Sequence, residues 1–189
     1  LNCVNGSTGA ACWGAGTLGI PTTSPLGTPI VVYDTTTSQN VVYIGDNIGR
    51  FFRIRDNGGT PSSGGSDTSS YDLCGSSPGT CSTTPWGVTT SATIDTTYNK
   101  AYIASGGYVF EFPVGATATW QPSTTAKTLV GSATTQMYSN PMLDPDNLWL
   151  YQAYNNRLYK VRYPFDGNAT TNIYSTALQK AGPDSSYPR

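Results

Sequence analysis

The chain has 189 residues, with 10 Lys and Arg against 11 Asp and Glu, a net charge of −1 and no histidine. The cations are scattered, which excludes the basic stripe a nucleic-acid binder uses to displace counterions, and no apolar run approaches the roughly 20 residues of a membrane-spanning helix. Solubility rests on Ser, Thr, Asn, Gly and Tyr, and long Ala/Leu/Glu/Lys stretches are absent, so the expected class is all-β.

The chain begins at Leu1 with no signal peptide, which reads as a processed, trimmed or incomplete product. Residues 1–27 are expected to form a disulfide-stapled loop, with Cys3 and Cys12 bracketing a Gly/Ala-rich stretch. This loop also holds Trp13 and the sequon Asn5-Gly6-Ser7. A first unit, 28–84, opens with strand-like Thr28-Pro29-Ile30-Val31-Val32-Tyr33-Asp34. Asn40 to Gly45 and Gly49 to Ile54 follow as two further strands. The Gly/Ser/Pro-rich stretch from Asn57 to Thr84 reads as an insertion pinned by Cys74 and Cys81. An even cysteine count in such loops points to disulfides, although four cysteines allow three connectivities. Zinc would ask for tighter spacing and usually histidine.

A second unit, 85–130, has strands at Ser91 to Asp95, Asn99 to Ala104 and Gly107 to Phe112, with Lys127-Thr128-Leu129-Val130 as a candidate fourth strand. A third unit, 131–175, shows Asn140 to Asp144, Asp146 to Tyr151 and Asn156 to Val161, with Asn172-Ile173-Tyr174 as its fourth. Residues 176–189 are a tail or the start of a further unit. Each copy has one grammar: an apolar strand ending in Asp (Asp34, Asp95, Asp144), a polar turn, and a strand with a central aromatic (Tyr43, Tyr102, Trp149). A tight turn then leads to a strand of period two. Ile44 to Arg50 and Ala104 to Tyr108 read as hairpin connections with Asp, Asn and Gly at left-handed positions. Arg53, Glu111 and Lys160 share one place in the third strand, on what the alternation marks as a solvated face.

This pattern, over residues 28–54, 91–112 and 139–161, resembles the blades of pyrroloquinoline-quinone-like and other extracellular β-propellers. The resemblance implies a propeller-like array of three antiparallel blade units. The Ala-x-Asp-x-x-Thr-Gly-x-x-x-Trp signature and the adjacent cysteine pair of the quinone enzymes are missing, so no quinone is expected. Closed propellers have roughly four to eight blades. The ring is therefore incomplete: the chain is a fragment, a subunit that completes a ring by oligomerising, or a unit that stacks openly.

Candidate sites follow from residue chemistry. Trp13, Trp86, Trp120 and Tyr154 fall outside the core pattern and are the candidates for stacking on a ligand such as a sugar ring. Asp144 and Asp146 form the best local oxygen cluster, of a kind that can bind calcium, but turn hydrogen bonding explains the same residues and is the preferred reading, so no cofactor is expected. Asn5 and Asn168 head glycosylation sequons. No catalytic residue is expected: a Ser-His-Asp or Cys-His arrangement needs histidine, and Glu111 is the sole glutamate. The expected function is a secreted or surface-displayed module for extracellular binding, adhesion or assembly in a matrix or filament. Its expected partners are its own copies, other extracellular proteins or glycans. Part of an extracellular propeller hydrolase or oxidoreductase, with its catalytic residues elsewhere, and a carbohydrate-binding lectin are the alternatives.

Overall fold

The computed structural model of the chain describes residues 2–4, 11–14, 26–56, 67–75, 81, 83–122, 126–130 and 135–178, with backbone alone at 2–4, 11–14 and 83. Strands dominate. A two-stranded hairpin, β1 (Asn2–Val4) and β2 (Ala11–Gly14), is followed by three antiparallel four-stranded sheets. The first is β3 (Ile30–Asp34), β4 (Gln39–Gly45), β5 (Arg50–Asp56) and β6 (Thr68–Asp72). The second is β7 (Thr93–Asp95), β8 (Lys100–Ser105), β9 (Tyr108–Pro113) and β10 (Lys127–Thr128). The third is β11 (Met142–Asp144), β12 (Trp149–Tyr154), β13 (Arg157–Arg162) and β14 (Ile173–Ala177). In each, spatial order equals chain order, so every sheet is a simple meander. The remaining named element, α1 (Thr83–Trp86), is one turn interrupted by an extended Thr84.

The turns show why these residues fold this way. Each first strand ends on the expected aspartate, and its carboxylate accepts N–H groups from the turn that follows. Asp34 Oδ1 takes Thr36 N at 2.9 Å, Asp95 Oδ1 takes Thr97 N at 2.8 Å, and Asp144 Oδ1 takes Asn147 N at 3.2 Å. All three turns close with a left-handed residue, Ser38, Asn99 and Leu148, just before the second strand. A turn followed by a left-handed residue is a common antiparallel connection. The second hairpins use Gly106-Gly107 and Asn155-Asn156, with positive φ at both positions, as a tight turn matched to strand twist requires. In the first sheet this connection is longer. Gly49 supplies its left-handed position, whereas Asp46 acts through its side chain. Fully buried, Asp46 accepts Arg50 N at 2.9 Å and pairs with the Arg50 guanidinium.

Two expectations about the strands are corrected. A fourth strand of the first sheet, β6, lies inside the Asn57–Thr84 stretch read as an insertion, because Ser69, Ser70 and Tyr71 pair with Arg53, Phe52 and Phe51. The row of central aromatics is Tyr43, Tyr102 and Tyr151, not Trp149. Each of these tyrosines pairs with the third-strand residue Arg53, Glu111 or Lys160, and with Ile30, Thr93 or Met142 on the first strand. Trp149 opens its strand and pairs with Asp144 and Arg162, the place that Lys100 holds in β8 opposite Asp95 and Pro113.

Side chains alternate across each strand, so the register assigns every residue to one of two faces. We call the face carrying Tyr43, Tyr102 or Tyr151 leading and the opposite face trailing. The leading face of the first sheet and the trailing face of the second share one core: Val41, Tyr43 and Phe51 pack with Ala101, Ile103, Phe110, Phe112 and Trp120. The second and third sheets join in the same sense, Tyr102, Ala104 and Val109 against Leu150, Tyr154, Tyr159 and Val161. Val88 and Met137, in the segments that precede β7 and β11, meet in a parallel bridge.

Cys74 and Cys81 are disulfide-bonded directly after β6, and Leu73 N donates to Gly49 O. The pairing of β1 with β2 sets Cys3 opposite Trp13 and Val4 opposite Ala11. The side chains of Cys3, Cys12 and Trp13, together with Asn5 and residues 179–189, lie outside the described residues.

Candidate functional site: the open face of the third sheet

The expected solvated face is not solvated in two sheets of three. Arg53 is 6% exposed and Glu111 1%, because the following sheet covers them. Charge survives burial there because it is bonded. Arg53 Nη1 donates to Gly115 O at 2.9 Å and to Ala118 O, its Nη2 reaches Ser69 Oγ, and its guanidinium lies 5.2 Å from the Trp120 ring centre. Nearby, Gly115 N donates to Tyr43 Oη and Ala116 N to Asp34 Oδ2. At the next junction Glu111 Oε2 accepts Tyr102 O–H at 3.1 Å and Phe165 N–H at 2.8 Å, while Oε1 pairs with Lys100 at 3.1 Å.

The two junctions thus follow one plan. A charged residue of the third strand meets the backbone of the connection that leaves the third strand of the following sheet. The cation Arg53 finds carbonyls and the anion Glu111 finds an N–H. Burial shifts these groups as expected. It raises the hydroxyls of Tyr43 and Tyr102, the latter further through the Glu111 charge, and it lowers Arg53. Asp34 is held below its ordinary value chiefly by the Ala116 N–H.

The third sheet has the same leading face without a described sheet over it. Met142 is 69% and Tyr174 59% exposed, and Tyr151, Trp149 and Lys160 are half-buried. β12 and β13 bring two cations onto one indole: Lys160 Nζ stands 4.2 Å and the Arg162 guanidinium 5.4 Å from the Trp149 ring centre, with Tyr174 edge-on at 5.7 Å. Tyr151, Leu158, Lys160, Tyr174, Ser175 and Thr176 line a shallow cavity of about 250 Å³. The surface is apolar, aromatic and cationic, suited to a partner with an apolar face and oxygen acceptors.

The residues singled out from sequence go elsewhere. Trp120 is core: its indole N–H donates to Phe51 O, and its ring packs 4.8 Å from Phe112 and 5.2 Å from Phe51. Tyr154 is buried in the second core, with its hydroxyl on Thr135 O. Trp86, half-buried, stacks on Tyr108 and roofs the Gly106 turn so closely that a Cβ there would fall 2.3 Å from the ring. Asp144 spends its carboxylate on Asn147 N and Nδ2, and Asp146 is exposed in the same turn. Among the described residues no three His, Cys, Asp or Glu side chains come together as metal ligands. Asn168 is exposed, and its Oδ1 accepts Thr170 N.

Sequence reasoning missed Lys127, a fully buried cation. Its ammonium pairs with Asp166, donates to Asn168 O and lies 5.5 Å from the Phe165 ring centre, tying the connection after β13 to β10. That bond holds the Asp166 carboxyl well below the ordinary range. The larger cavity of about 460 Å³ between the first two sheets is bordered by Asp34, whose oxygens are committed to Thr36 and Ala116. No described helix is long and apolar enough to cross a membrane. No family model matches the chain, and no curated protein matches it.

Proposed function

We propose that the chain is an extracellular binding and assembly module of β-propeller type, which works by docking a partner on the leading face of its third sheet. The observation that carries this reading is that face itself. In the first two sheets its counterpart is the centre of a core, and in the third it presents Met142, Trp149, Tyr151, Lys160 and Tyr174 to solvent. Meander sheets stacked face to face in one sense support a propeller-like arrangement. The disulfide and the exposed Asn168 sequon fit an oxidising, secretory setting. A catalytic reading has less to stand on, since Glu111 is committed to Tyr102, Phe165 and Lys100.

The test is lysine acetylation followed by mass spectrometry, on protein in its native extracellular material and on the purified chain. Lys160 is expected to be protected at least several-fold in the native material. Equal labelling of Lys160 in both would overturn the docking reading.

A further inference from the structure

The leading face of the third sheet carries enough chemistry to name the kind of partner it takes, an inference that rests on the reading of that face as a docking surface. The register sets its side chains in rows that cross the strands. One row runs Met142, Tyr151, Lys160 and Tyr174 from β11 to β14, and the next runs Asp144, Trp149 and Arg162 from β11 to β13. Lys160 therefore sits between two tyrosines and diagonally across from Trp149, with its ammonium 4.2 Å from the indole ring centre. From β12 to β14 the first row covers roughly 10 Å, two strand spacings.

Charge on this face is unbalanced, unlike at either covered junction. Arg53 is met by carbonyls, and Glu111 by an N–H and by Lys100. Lys160 and Arg162 share the Trp149 ring, and among the described residues neither has a carboxylate partner. Arg162 Nη1 donates to Asn147 O. The acid of the same rows, Asp144, is committed to Asn147 through both oxygens. Two like charges beside one ring repel, and an anionic oxygen between them removes that repulsion. A neutral carbonyl would leave the pair unbalanced.

The rest of the face suits a ring with an apolar side and oxygens at its edge. Tyr151 and Tyr174 are apolar across the body and polar at the tip, the form of side chain that stacks on a sugar ring. With Leu158, Ser175 and Thr176 they wall the shallow cavity of about 250 Å³ beside Lys160. A uronic acid joins both requirements in one residue: a ring with apolar C–H faces, hydroxyls around it, and a carboxylate at its rim.

We propose that the partner on the third sheet's leading face is an acidic polysaccharide built of uronic acids. Its rings lie against Tyr151 and Tyr174, and a carboxylate is held between Lys160 and Arg162, which Trp149 keeps side by side.

Titration calorimetry on the purified chain tests this, with hexamers of galacturonic acid and of mannuronic acid as probes. At least one hexamer should bind saturably with a Kd at or below about 1 mM. Binding should weaken as sodium chloride rises from about 50 to about 500 mM. The methyl ester of that hexamer keeps the rings without the charge, and hexaglutamate keeps the charge without the rings. Both should bind at least roughly tenfold more weakly. Lys160→Gln removes the charge and Tyr174→Ala removes a ring platform. Each should lower affinity roughly tenfold, with far-ultraviolet circular dichroism matching the wild type because neither side chain is buried. Tyr138→Ala removes an aromatic that is 75% exposed elsewhere on the chain and should leave affinity unchanged. No saturable binding of either hexamer up to about 10 mM overturns the proposal. So does hexaglutamate binding as tightly as the sugars, which would put an acidic polypeptide on the face, and so does full affinity in Lys160→Gln. Protection of Lys160 in the native material with neither hexamer bound would strike the polysaccharide and leave the docking face standing. Equal labelling of Lys160 in native material and purified chain would strike both.

Discussion

Glu111 and Lys160 hold the same place in neighbouring sheets, each opposite the central tyrosine of the second strand, and they live in opposite surroundings. Glu111 is buried with three partners from its own sheet and the next. Lys160 leans on Trp149 at the edge of solvent. The difference does not come from local sequence, since both strands alternate alike. It comes from what is stacked on top. A leading face becomes core when the next sheet arrives, and its charged residue is then fixed by the backbone of that sheet's connection.

The comparison predicts unequal costs at equal positions. The largest is expected for Trp120→Ala, which empties the ring site among Tyr43, Phe51 and Phe112. Urea unfolding should show a loss of about 3–5 kcal/mol, against roughly 1 kcal/mol or less for Trp149→Ala on the open face. Next comes Glu111→Ala, which strands the buried Tyr102 hydroxyl and Phe165 N–H. A loss of about 3 kcal/mol is expected, whereas Lys160→Ala should cost less than about 1 kcal/mol in the isolated chain. Equal losses at Glu111 and Lys160 would mean that the two faces are not differently covered.

Acid should reveal the Lys127–Asp166 tie between the second sheet and the connection after β13. Asp166 titrates below its ordinary value in the folded chain, with its bond to Lys127 the chief cause. Its stabilisation is therefore complete above the unfolded aspartate range, near about pH 3.9, and is lost as pH falls through the lowered folded value. Asp166→Asn should flatten the stability–pH curve below about pH 4, and an unchanged curve would show that the tie does not contribute.

The smallest effects separate two tight turns of like geometry. Gly106→Ala pays for a left-handed alanine and also drives a Cβ into the Trp86 ring. Asn155→Ala carries the left-handed cost, about 1 kcal/mol, and loses only an exposed hydrogen bond that Asn155 Oδ1 accepts from Thr135 Oγ1 at 2.8 Å. Thermal unfolding should rank Gly106→Ala as the worse of the two.

Much of the fold is legible in the sequence because short-range chemistry writes it. Aspartates that cap their own turns, Gly106-Gly107 and Asn155-Asn156 pairs, and apolar segments of strand length mark most of the strands and hairpins. β6 is not legible, since Thr68, Ser69 and Ser70 have the composition of a loop and become a strand only by pairing with β5. The candidate site is less legible still. Period two establishes that Arg53, Glu111 and Lys160 share a face, but burial of that face is decided by a neighbour far away in the chain. Matching Trp149 to Tyr43 and Tyr102 by aromatic character hid the register, which points to Tyr151. Trp120 lies in a connection by sequence and in a core by structure, because its partners Phe51 and Tyr43 belong to the preceding sheet.

The most direct test of the contrast between covered and open faces is a lysine-labelling time course on the isolated chain, read residue by residue by mass spectrometry. Lys160, half-exposed over Trp149, should label readily, and Lys127, fully buried against Asp166 and Phe165, should resist until the chain unfolds. Comparable labelling of Lys127 and Lys160 under native conditions would contradict the stacked arrangement and the open face it leaves.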